Sequence, residues 1–430
     1  MTGQRWFGSK TREVTHARVL DVASLHEAEP ELRVELVEVG FETGTHETYQ
    51  LVTADGSLDA LAEPRHVREL VHMIRRGVTV PAREGTLEFR PLEGFAGLGT
   101  ELTSARMIET EQSNTSIVFD EELILKVFRR LEAGVNPELE LLRFLTEHGY
   151  ENIAQLGGWY AYVGRPLDAT LGVLQRYVVG GLDGWELALD ELQSAPERFL
   201  SRLRRLGHVT GRMHAVLASE PGDPNFAPEE PSAESLALLT ATVDEEINRI
   251  FFELPEDVEA LDPIRGRGEE VRESLAVLSH AGARGKLIRN HGDFHLGQTL
   301  WAEDDWMILD FEGEPARSLP ERRRKRSPLR DVAGMLRSFA YAVSAVELMR
   351  GATAPEGWEG RARSEFLAGY LETVDHSLLP AGEAPIERLL TVFELEKAVY
   401  ELRYELNNRP DWVHIPVAGI LRMLEAAAAA

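Results

Sequence analysis

The sequence has 430 residues, which exceeds one ordinary domain and predicts two or three folding units. Its 46 Lys and Arg residues against 72 Asp and Glu residues give a net charge of −26, which opposes binding to nucleic acid or to an anionic membrane. Cysteine is absent, so disulfides and thiolate metal sites are excluded, and a cytoplasmic location is expected. No apolar run approaches the length expected of a membrane span, and the first ten residues lack the apolar segment of a secretory signal.

The first 90 residues are predicted to form a small β-rich unit. Two apolar runs, at 34–39 and 49–52, flank a turn at Gly44 and are typical of paired strands. Residues 67–76 have the apolar spacing of a helix, and Pro81 ends that pattern.

Residues 91–178 are predicted to form a second β-rich unit that contains one helix. Two short β-like runs are joined by three acidic residues, which indicates a tight hairpin. Asn136 followed by Pro137 is typical of a helix start, and that helix is expected to end near Gly149. The strands expected in this unit are 116–119, 123–128, 159–163 and 171–178.

The remaining residues, 179–430, are predicted to be mostly helical. Helical spacing covers 200–217, 236–252 and nearly all of 331–425, whereas one β-like island lies at 300–311. The sequence therefore predicts an α+β fold, in which the second and third units have the two-lobed outline of a kinase-like phosphotransferase.

Polar residues bracket the β-like island in a pattern that indicates phosphoryl transfer. Asn-His-Gly-Asp-Phe-His-Leu-Gly-Gln spans 290–298, and Asp310 ends an apolar run. Such a reaction requires a carboxylate for the proton of the substrate hydroxyl and oxygen ligands for Mg²⁺. Gln298 lies five residues after Asp293, as the metal-binding Asn does in protein kinases, and Asp310 corresponds to their second metal-binding Asp. Each is an ordinary loop residue by itself, but together they predict an ATP- and Mg²⁺-dependent kinase with Asp293 as base.

A lysine and a glutamate upstream are candidates for the ion pair that such enzymes use. Lys126 lies in the apolar strand 123–128, where an exposed strand lysine is the alternative interpretation. Glu140 lies on the helix that begins at Pro137 and is the preferred partner of Lys126. Glu138 is a competing choice, because the phase of the helix is not fixed by the sequence.

Two further segments are candidates for nucleotide binding. A polar segment between two predicted strands is expected to cover the phosphates through its N–H groups and hydroxyls, although an ordinary polar turn is the alternative. That segment consists of Gln112, Ser113, Asn114, Thr115 and Ser116. The backbone of Gln175, Tyr177 and Val178 is expected to contact adenine where the two lobes join.

These motifs together resemble those of bacterial maltokinases and of the maltokinase domains that are fused to trehalose synthases. The similar segments are 4–8, 112–116, 290–298, 309–315, 327–338 and 407–412. They cover nearly the whole chain and are more specific than a short His-Gly-Asp motif. Within 327–338, we expect Arg330 and Asp331 to form an ion pair that braces the active loop.

The resemblance implies an aminoglycoside-phosphotransferase-like, bilobal protein-kinase-like fold. It implies an N-terminal cap at 1–90, an intermediate β subdomain at 91–178 that completes the N-lobe, and a helical C-lobe at 179–430. It also implies transfer of the ATP γ-phosphate to the anomeric hydroxyl of maltose, which yields maltose 1-phosphate for α-glucan (glycogen) synthesis. Carried over by position, Lys126 contacts the α- and β-phosphates, and Glu140 orients it. A functional link to trehalose synthase and maltosyltransferase enzymes is implied as well.

The sugar is expected to bind near the C-terminus, where aromatic and hydrogen-bonding side chains recur. Close helical spacing places Tyr400, Glu401, Arg403 and Tyr404 on one helix, although core packing of the tyrosines is an alternative. The candidates for sugar binding are Tyr400, Glu401, Arg403, Tyr404 and Trp412, together with His295 near the base.

Two other functions compete with maltose phosphorylation. A kinase of another sugar, such as glucosamine, fits an acidic protein, because an ammonium group needs a carboxylate partner. An inactive kinase-like scaffold is the alternative of a different class, and the complete set of Lys126, Asp293, Gln298 and Asp310 argues against it.

Overall fold

The computed structural model describes residues 3–25, 31–54, 57, 59–95, 102–108, 114–279 and 285–429. The chain forms two compact units, of which the first comprises Met1–Gly181 with Ala316–Arg322 and the second Leu182–Pro315 with Arg323–Ala430. The division into a cap, an intermediate subdomain and a C-lobe at residues 90 and 178 stays a prediction.

The first unit contains two antiparallel sheets. The smaller sheet consists, in spatial order, of β1 (Val14–Leu25), β2 (Leu32–Phe41), β3 (His46–Ala54) and β9 (Arg130–Leu131). The larger sheet consists, in spatial order, of β4 (Thr79–Pro81), β5 (Gly85–Pro91), β10 (Leu156–Gly164), β11 (Ala169–Arg176), β8 (Leu123–Phe128), β7 (Asn114–Phe119) and β6 (Ala105–Ile108).

The helices of the first unit are α1 (Pro64–Arg76), α2 (Pro137–Glu147) and the short α7 (Leu319–Arg322). Helix α2 begins where the sequence predicted, because Asn136 Oδ1 accepts a hydrogen bond from the Glu138 N–H at 2.8 Å and proline occupies the first turn. This cap fixes which side chains of the first turn face β8 and β11.

The aromatic residues at the N-terminus are part of the core of the first unit. Trp6 and Phe7 are buried, and the Phe7 ring lies 5.2 Å from the Tyr49 ring, centroid to centroid. The Trp6 indole Nε1 donates to Asp59, and Asp59 in turn pairs with the buried Arg129 at 2.8 Å. The N-terminal segment is therefore anchored by both apolar packing and a charged hydrogen-bond network.

The second unit is helical except for one three-stranded antiparallel sheet. The sheet consists of β12 (Leu182–Asp183), β13 (Thr299–Ala302) and β14 (Asp305–Ile308). The helices are α3 (Gly184–Ser194), α4 (Pro196–Leu217), α5 (Ala233–Phe252), α6 (Gly268–Ser279), α8 (Leu329–Arg350), α9 (Trp358–Thr373), α10 (Glu383–Asn408) and α11 (His414–Ala429). One hydrophobic core joins α5, α6, α10 and α11.

Helix α8 is long and apolar enough to cross a membrane by length and composition, contrary to the expectation that no segment would be. However, 61% of its most apolar stretch is buried inside the protein, and it carries the ion-paired residues Arg330 and Arg337. These features are those of a core helix of this unit.

The predicted α+β architecture is confirmed, and so is the hairpin of β7 and β8. Its turn places Asp120 and Glu121 at φ values of 50° and 55°. The segment expected only as a β-like island forms the β13–β14 hairpin, whose turn places Glu303 and Asp304 at 51° and 61°. Such left-handed pairs suit the tight turns of hairpins. The elements β1, α3 and α6 were not predicted from the sequence.

Candidate active site

The loop at 290–298, which connects the preceding chain to β13, carries the predicted base. Gly292 has a φ of +88°, and a Cβ atom there would lie 3.4 Å from the Gly313 Cα. Gly334 on α8 lies still closer to the loop, because a Cβ atom there would lie 2.6 Å from the Phe294 carbonyl oxygen. Glycine at these two positions lets the loop pass close to its neighbours.

A buried carboxylate on α8 fixes the backbone of this loop. Asp331 Oδ2 accepts the His291 N–H at 2.8 Å, and its Oδ1 accepts the Gly292 N–H at 3.0 Å. His214 Nε2 lies 3.0 Å from the same carboxylate, and its Nδ1 lies 3.0 Å from the Tyr370 hydroxyl. Burial would raise the pKa of Asp331, but the hydrogen bond and charge of His214, with further help from His291 and the Gly292 N–H, lower it below its usual value.

The expected brace is therefore present, but its partners differ from the prediction. Arg330 does not pair with Asp331; it pairs with Glu396 on α10 at 2.6 Å. Neighbouring residues on a helix point in directions about 100° apart, so Asp331 faces the loop while Arg330 faces α10.

The Asp293 carboxylate is held by a lysine that the sequence analysis did not identify. Lys397 Nζ on α10 lies 3.1 Å from Asp293 Oδ1 and 3.2 Å from Glu314 Oε1. Burial alone would lower the pKa of Lys397, but the charges of Asp293, Glu314 and Glu401 outweigh it and raise the pKa above its usual value. The ammonium therefore stays charged throughout the physiological range and links two carboxylates.

The two predicted metal ligands lie next to each other. Gln298 Nε2 donates to Asp310 Oδ2 at 3.2 Å, and the Leu309 N–H donates to the Gln298 carbonyl oxygen at 2.9 Å. Asp310 has a φ of +56°, which is a strained backbone conformation for this residue and is typical of a functional position. An amide oxygen and a carboxylate are hard ligands of the kind that Mg²⁺ prefers.

His295 supports the loop through its ring. Its Nδ1 accepts the Gly297 N–H at 3.1 Å at the start of the short 3₁₀ turn before β13. Burial lowers the pKa of His295, and this effect is larger than the opposing effect of the Asp293 charge. The neutral ring is therefore favoured. A neutral His295 keeps its Nε2 available as a donor.

Within the first unit, Lys126 forms an ion pair with a glutamate of α2. Its Nζ lies 2.6 Å from Glu138 Oε2, and Gln175 Nε2 donates to Glu138 Oε1 at 3.1 Å. The preferred assignment of Glu140 is thereby corrected in favour of Glu138, the competing choice. The physical reason is helix phase: Glu138 is buried in the first turn of α2, whereas Glu140 is partly exposed.

The polar segment predicted to cover the phosphates belongs in part to a strand. Asn114, Thr115 and Ser116 are buried on β7 rather than in a turn, and Ser116 pairs in register with Lys126. Thr115 Oγ1 accepts a hydrogen bond from Arg129 Nε at 2.8 Å. Gln112 and Ser113 lie outside the described residues. A role of this segment in phosphate binding stays a prediction.

The residues predicted to contact adenine lie at and after the end of β11. The Tyr177 N–H donates to the Glu122 carbonyl oxygen at 2.8 Å, and the Tyr177 hydroxyl accepts from Arg106 at 2.9 Å. The backbone donor of Tyr177 is therefore already used within this unit. Adenine contacts of Gln175, Tyr177 and Val178 stay a prediction.

The predicted sugar-binding residues of α10 have different neighbours. Tyr400 lies beside Lys397, whose Nζ is 5.2 Å from the ring centroid. Glu401 pairs with the buried Arg337 of α8 at 2.6 Å. Arg403 Nη1 lies 3.2 Å from Glu246 on α5, and Tyr404 is largely exposed. Of these four residues, Tyr400 lies beside Lys397 of the Asp293 cluster, and the charge of Glu401 also acts on Lys397.

Trp412 forms part of an aromatic platform with a second residue that the sequence analysis missed. Its ring stacks on that of Tyr341 at 6.2 Å between centroids, with 24° between the planes. The Tyr341 hydroxyl donates to Glu405 at 3.2 Å, and Arg409 lies over Trp412 while it pairs with Glu405 at 2.6 Å. Burial, with the charges of Glu401 and Glu405, raises the pKa of Tyr341 well above its usual value, so its hydroxyl stays protonated.

Comparisons with known proteins agree with this arrangement. Residues 104–367 match the phosphotransferase enzyme family, and residues 1–80 match the maltokinase N-terminal cap domain. The chain is 27% identical over 346 residues to a glucosamine kinase of Streptacidiphilus jiangxiensis, across 77% of this chain and 76% of that protein. It is 25% identical over 335 residues to a glucosamine kinase of Mycolicibacterium smegmatis, across 74% of this chain and 79% of that protein.

Solved structures share the fold. A glucosamine kinase in one crystal form superimposes with a TM-score of 0.76 at 23% identity, over 97% of this chain and 96% of that chain. A glucosamine kinase in complex with glucosamine, ADP and inorganic phosphate superimposes with a TM-score of 0.74 at 22% identity, over 98% and 96%. The chain has the aminoglycoside-phosphotransferase type of protein-kinase-like fold, and it belongs to the phosphotransferase enzyme family, with a maltokinase N-terminal cap domain.

Proposed function

We propose that this protein is an ATP-dependent sugar kinase that phosphorylates the anomeric hydroxyl of maltose and forms maltose 1-phosphate. Membership of the phosphotransferase family supports the reaction class, and the cap domain at residues 1–80 supports maltose. The glucosamine kinases among its relatives support a sugar acceptor and an adenine nucleotide, because one of them was solved with glucosamine, ADP and inorganic phosphate.

The observation that carries the choice of a neutral acceptor is the charge pairing around α10. Two carboxylates of α10 each pair with an arginine, Glu401 with Arg337 at 2.6 Å and Glu405 with Arg409 at 2.6 Å. Glu314 shares the Lys397 ammonium with Asp293, at 3.2 and 3.1 Å. An amino sugar carries an ammonium group that requires a carboxylate without such a partner. A neutral sugar requires only hydrogen bonds and an aromatic surface, which Tyr400 and the Trp412 platform supply.

In the proposed reaction, Asp293 accepts the proton of the anomeric hydroxyl while that oxygen forms a bond to the γ-phosphorus and the bond from phosphorus to the β,γ-bridging oxygen breaks. Lys397 holds Oδ1 of Asp293, and none of the described residues donates a hydrogen bond to Oδ2. Oδ2 is therefore the oxygen that we assign to the proton. The proton then passes to solvent, and ADP leaves with the bridging oxygen.

The other residues position the reactants. Gln298 and Asp310 are proposed to hold Mg²⁺, and their contact at 3.2 Å, together with their oxygen donors, fits that ion. When bound, Mg²⁺ neutralises charge on the phosphates. Lys126, fixed by Glu138, is proposed to contact the α- and β-phosphates. His295 Nε2 is proposed to donate to a sugar hydroxyl.

The proposed product suggests a place in metabolism. An anomeric phosphate is an activated glycosyl group, so maltose 1-phosphate suits a maltosyltransferase that extends an α-glucan such as glycogen. A trehalose synthase that produces maltose would be a functional partner. We place the protein in the cytoplasm, where ATP is available, and the absence of cysteine agrees with that location.

An acceptor panel tests the proposal. ADP release is measured with ATP, Mg²⁺ and either maltose, glucose, glucosamine or another amino sugar, and the product is assigned by ³¹P and ¹H NMR. We expect maltose to have the highest kcat/KM and the phosphate to be on the anomeric oxygen. Turnover of glucosamine without turnover of maltose would refute the acceptor and leave the reaction class intact.

A single substitution tests the base. Asp293→Asn removes the proton acceptor but keeps the shape of the side chain and a hydrogen-bond acceptor for Lys397. We expect kcat to fall by about 10³-fold or more, with nucleotide binding retained in a fluorescence titration. The same substitution at the exposed Asp257 is the matched control and is expected to leave kcat unchanged. Unchanged turnover in Asp293→Asn would show that another group is the base.

Glucosamine phosphorylation is the second candidate, and the identity of the relatives favours it. It would require one of the paired carboxylates near α10 to exchange its cation for the ammonium of the substrate. An inactive scaffold is the candidate of a different class. It predicts no ADP release with any sugar, whereas the ion pair of Lys126 and the cluster around Asp293 support an active enzyme.

A further inference from the structure

A cavity of about 590 Å³ lies in the second unit, among α8, α9, α10, α11 and the loop before α9. Its volume is within the range of small-molecule sites in proteins. Asp293, Lys397, Tyr400 and Trp412 do not line it, so it is separate from the proposed acceptor site. The residues that line the cavity include Arg337, Glu359, Gly360, Arg363, Glu394, Gly419 and Arg422.

One buried guanidinium has a free donor group at this cavity. Arg337 is 2% exposed, and its Nε and Nη2 both donate to Glu401 Oε2, at 3.0 and 2.6 Å. Its Nη1 lies against Gly419, where any Cβ atom would collide with it. Within the described ranges, no protein group accepts a hydrogen bond from Nη1. Because Arg337 lines the cavity, this nitrogen is available to donate to an oxygen of a molecule bound there.

Four of the other charged residues that line the cavity form two ion pairs, and the fifth, Glu356, is exposed. Arg363 binds Glu394 through two hydrogen bonds of 2.7 and 2.8 Å, and Arg422 Nη1 lies 3.1 Å from Glu359 Oε2. The wall therefore presents fixed donors and acceptors without an excess of positive charge. An anion would have to separate these pairs, whereas hydroxyl groups bond to their outer edges without separating them.

Apolar groups complete the wall. Ala354, Pro355 and Met423 line the cavity beside the charged pairs. Sugars and related polyols have both features that match such a wall, because their hydroxyls surround C–H faces. The charge balance, the free donor and the apolar groups therefore select the same class of ligand.

We propose that this cavity is a second small-molecule site, which binds a neutral polyhydroxylated ligand through Arg337 Nη1. This site is separate from the proposed acceptor site, but Arg337 contacts both the cavity and the acceptor region. Arg337 also holds Glu401, which follows Tyr400 on α10, so an occupant of the cavity bonds to the same guanidinium that supports the acceptor region. The binding itself does not depend on which sugar is phosphorylated.

A cavity-filling substitution tests the site. Gly360 lines the cavity, and a Cβ atom there would meet nothing within 4 Å, so Gly360→Leu fills space without a clash and strengthens the helix. Gly222→Leu is the matched control, because Gly222 is also open and does not line the cavity. Arg337→Lys is a second variant, which keeps a cation for Glu401 and removes Nη1.

The readout is local hydrogen exchange of the full chain, measured by mass spectrometry on peptides that cover 354–363 and 415–423. The probes are glucose, maltose, trehalose and inorganic phosphate, each titrated separately. We expect at least one sugar to slow exchange in these peptides at least fivefold in the wild type and in Gly222→Leu. We expect no such effect in Gly360→Leu or in Arg337→Lys.

Three results would overturn the proposal. The first is that no sugar slows exchange in these peptides, and the second is that the sugar effect persists in Gly360→Leu. The third is that inorganic phosphate alone slows exchange, because that would identify an anion site. Failure of maltose phosphorylation would leave these outcomes unchanged, since they are measured without ATP.

Discussion

Lys397 is the residue whose replacement tests the candidate site most directly. Its ammonium lies 3.1 Å from Asp293 and 3.2 Å from Glu314, on a side chain that is 22% exposed. Lys397→Met keeps most of the volume and removes the charge. We expect the variant to fold and to lose activity, because Asp293 is no longer held by a cation.

The magnitude follows from the two ion pairs. At these separations and an effective dielectric constant of about 20, each pair contributes about 5 kcal/mol of Coulomb energy before desolvation is subtracted. Without the ammonium, the two carboxylates face each other without the cation that they share, and Asp293 is no longer held in place. The loss of orientation is expected to lower kcat at neutral pH by about tenfold.

The contribution of Lys397 to stability depends on pH through its raised pKa. Because the folded state raises the pKa of Lys397, its stabilising contribution is complete below the usual pKa of 10.5 and is lost only as the pH rises through the raised value. The difference in unfolding free energy between the wild type and Lys397→Met should therefore be constant from about pH 6 to pH 9, as measured by urea titration.

The assay is steady-state ADP release from pH 5 to pH 9, with the acceptor that the panel identifies. Lys397→Arg keeps a cation and is expected to keep more of the wild-type kcat than Lys397→Met does. Lys286→Met removes a charge elsewhere in the second unit and is the matched control. If kcat of Lys397→Met equals that of the wild type, Lys397 does not hold the proposed base in place.

Four further substitutions test the supports of the site. Asp331→Asn is expected to destabilise the protein by about 2–3 kcal/mol at pH 7; because the pKa of Asp331 is lowered, this difference should shrink as the pH falls below about 3.8, as measured by urea unfolding. Glu138→Gln should lower kcat by at least about tenfold through Lys126, and Glu140→Gln by less than about threefold; the reverse order would restore the original assignment. Gly334→Ala should destabilise by about 1–3 kcal/mol in thermal unfolding and lower kcat, because its Cβ atom would press on the 290–298 loop; wild-type stability and activity would contradict the close contact.

Much of the fold follows from local signals that the sequence displays. Asn136 and Pro137 define the start of α2, and the left-handed turn residues Asp120 and Glu121 define the hairpin of β7 and β8. Strand β1 was missed because its first half is exposed and its apolar residues alternate only in its second half. Helix α3 is short and follows a two-residue strand, so its pattern has no clear beginning.

The closeness of Gln298 and Asp310 was predictable for a different reason. Asp293, Gln298 and Asp310 lie within 18 positions of one another, and their spacing is set by one loop and one hairpin. Such local constellations keep the same geometry wherever the hairpin forms, and Gln298 and Asp310 do lie together. The partner of Lys126 was less certain, because a choice between Glu138 and Glu140 depends on helix phase and on burial.

The residues that support the loop come from distant parts of the chain. Asp331 is 40 positions from His291, and Lys397 is 104 positions from Asp293, so no local pattern connects them. Helix α10 packs on α5, α6, α8 and α11, and a helix that is surrounded on several sides lacks a single apolar stripe. The only available signal for Lys397 was its spacing of three residues before Tyr400, which places both on one side of α10.

Because α8 and α10 hold the 290–298 loop, changes on these helices can alter the specificity for the acceptor. The loop supplies the proposed base Asp293. Helix α10 supplies both the cation that pairs with it and the carboxylates Glu401 and Glu405, which pair with Arg337 of α8 and with Arg409. A change in the pairing of α10 therefore alters the charge offered to an acceptor while the loop stays unchanged. Replacing Arg337 or Arg409 by a neutral residue would leave a carboxylate free for an ammonium group, so preference between neutral and amino sugars can shift without any change in the reacting groups.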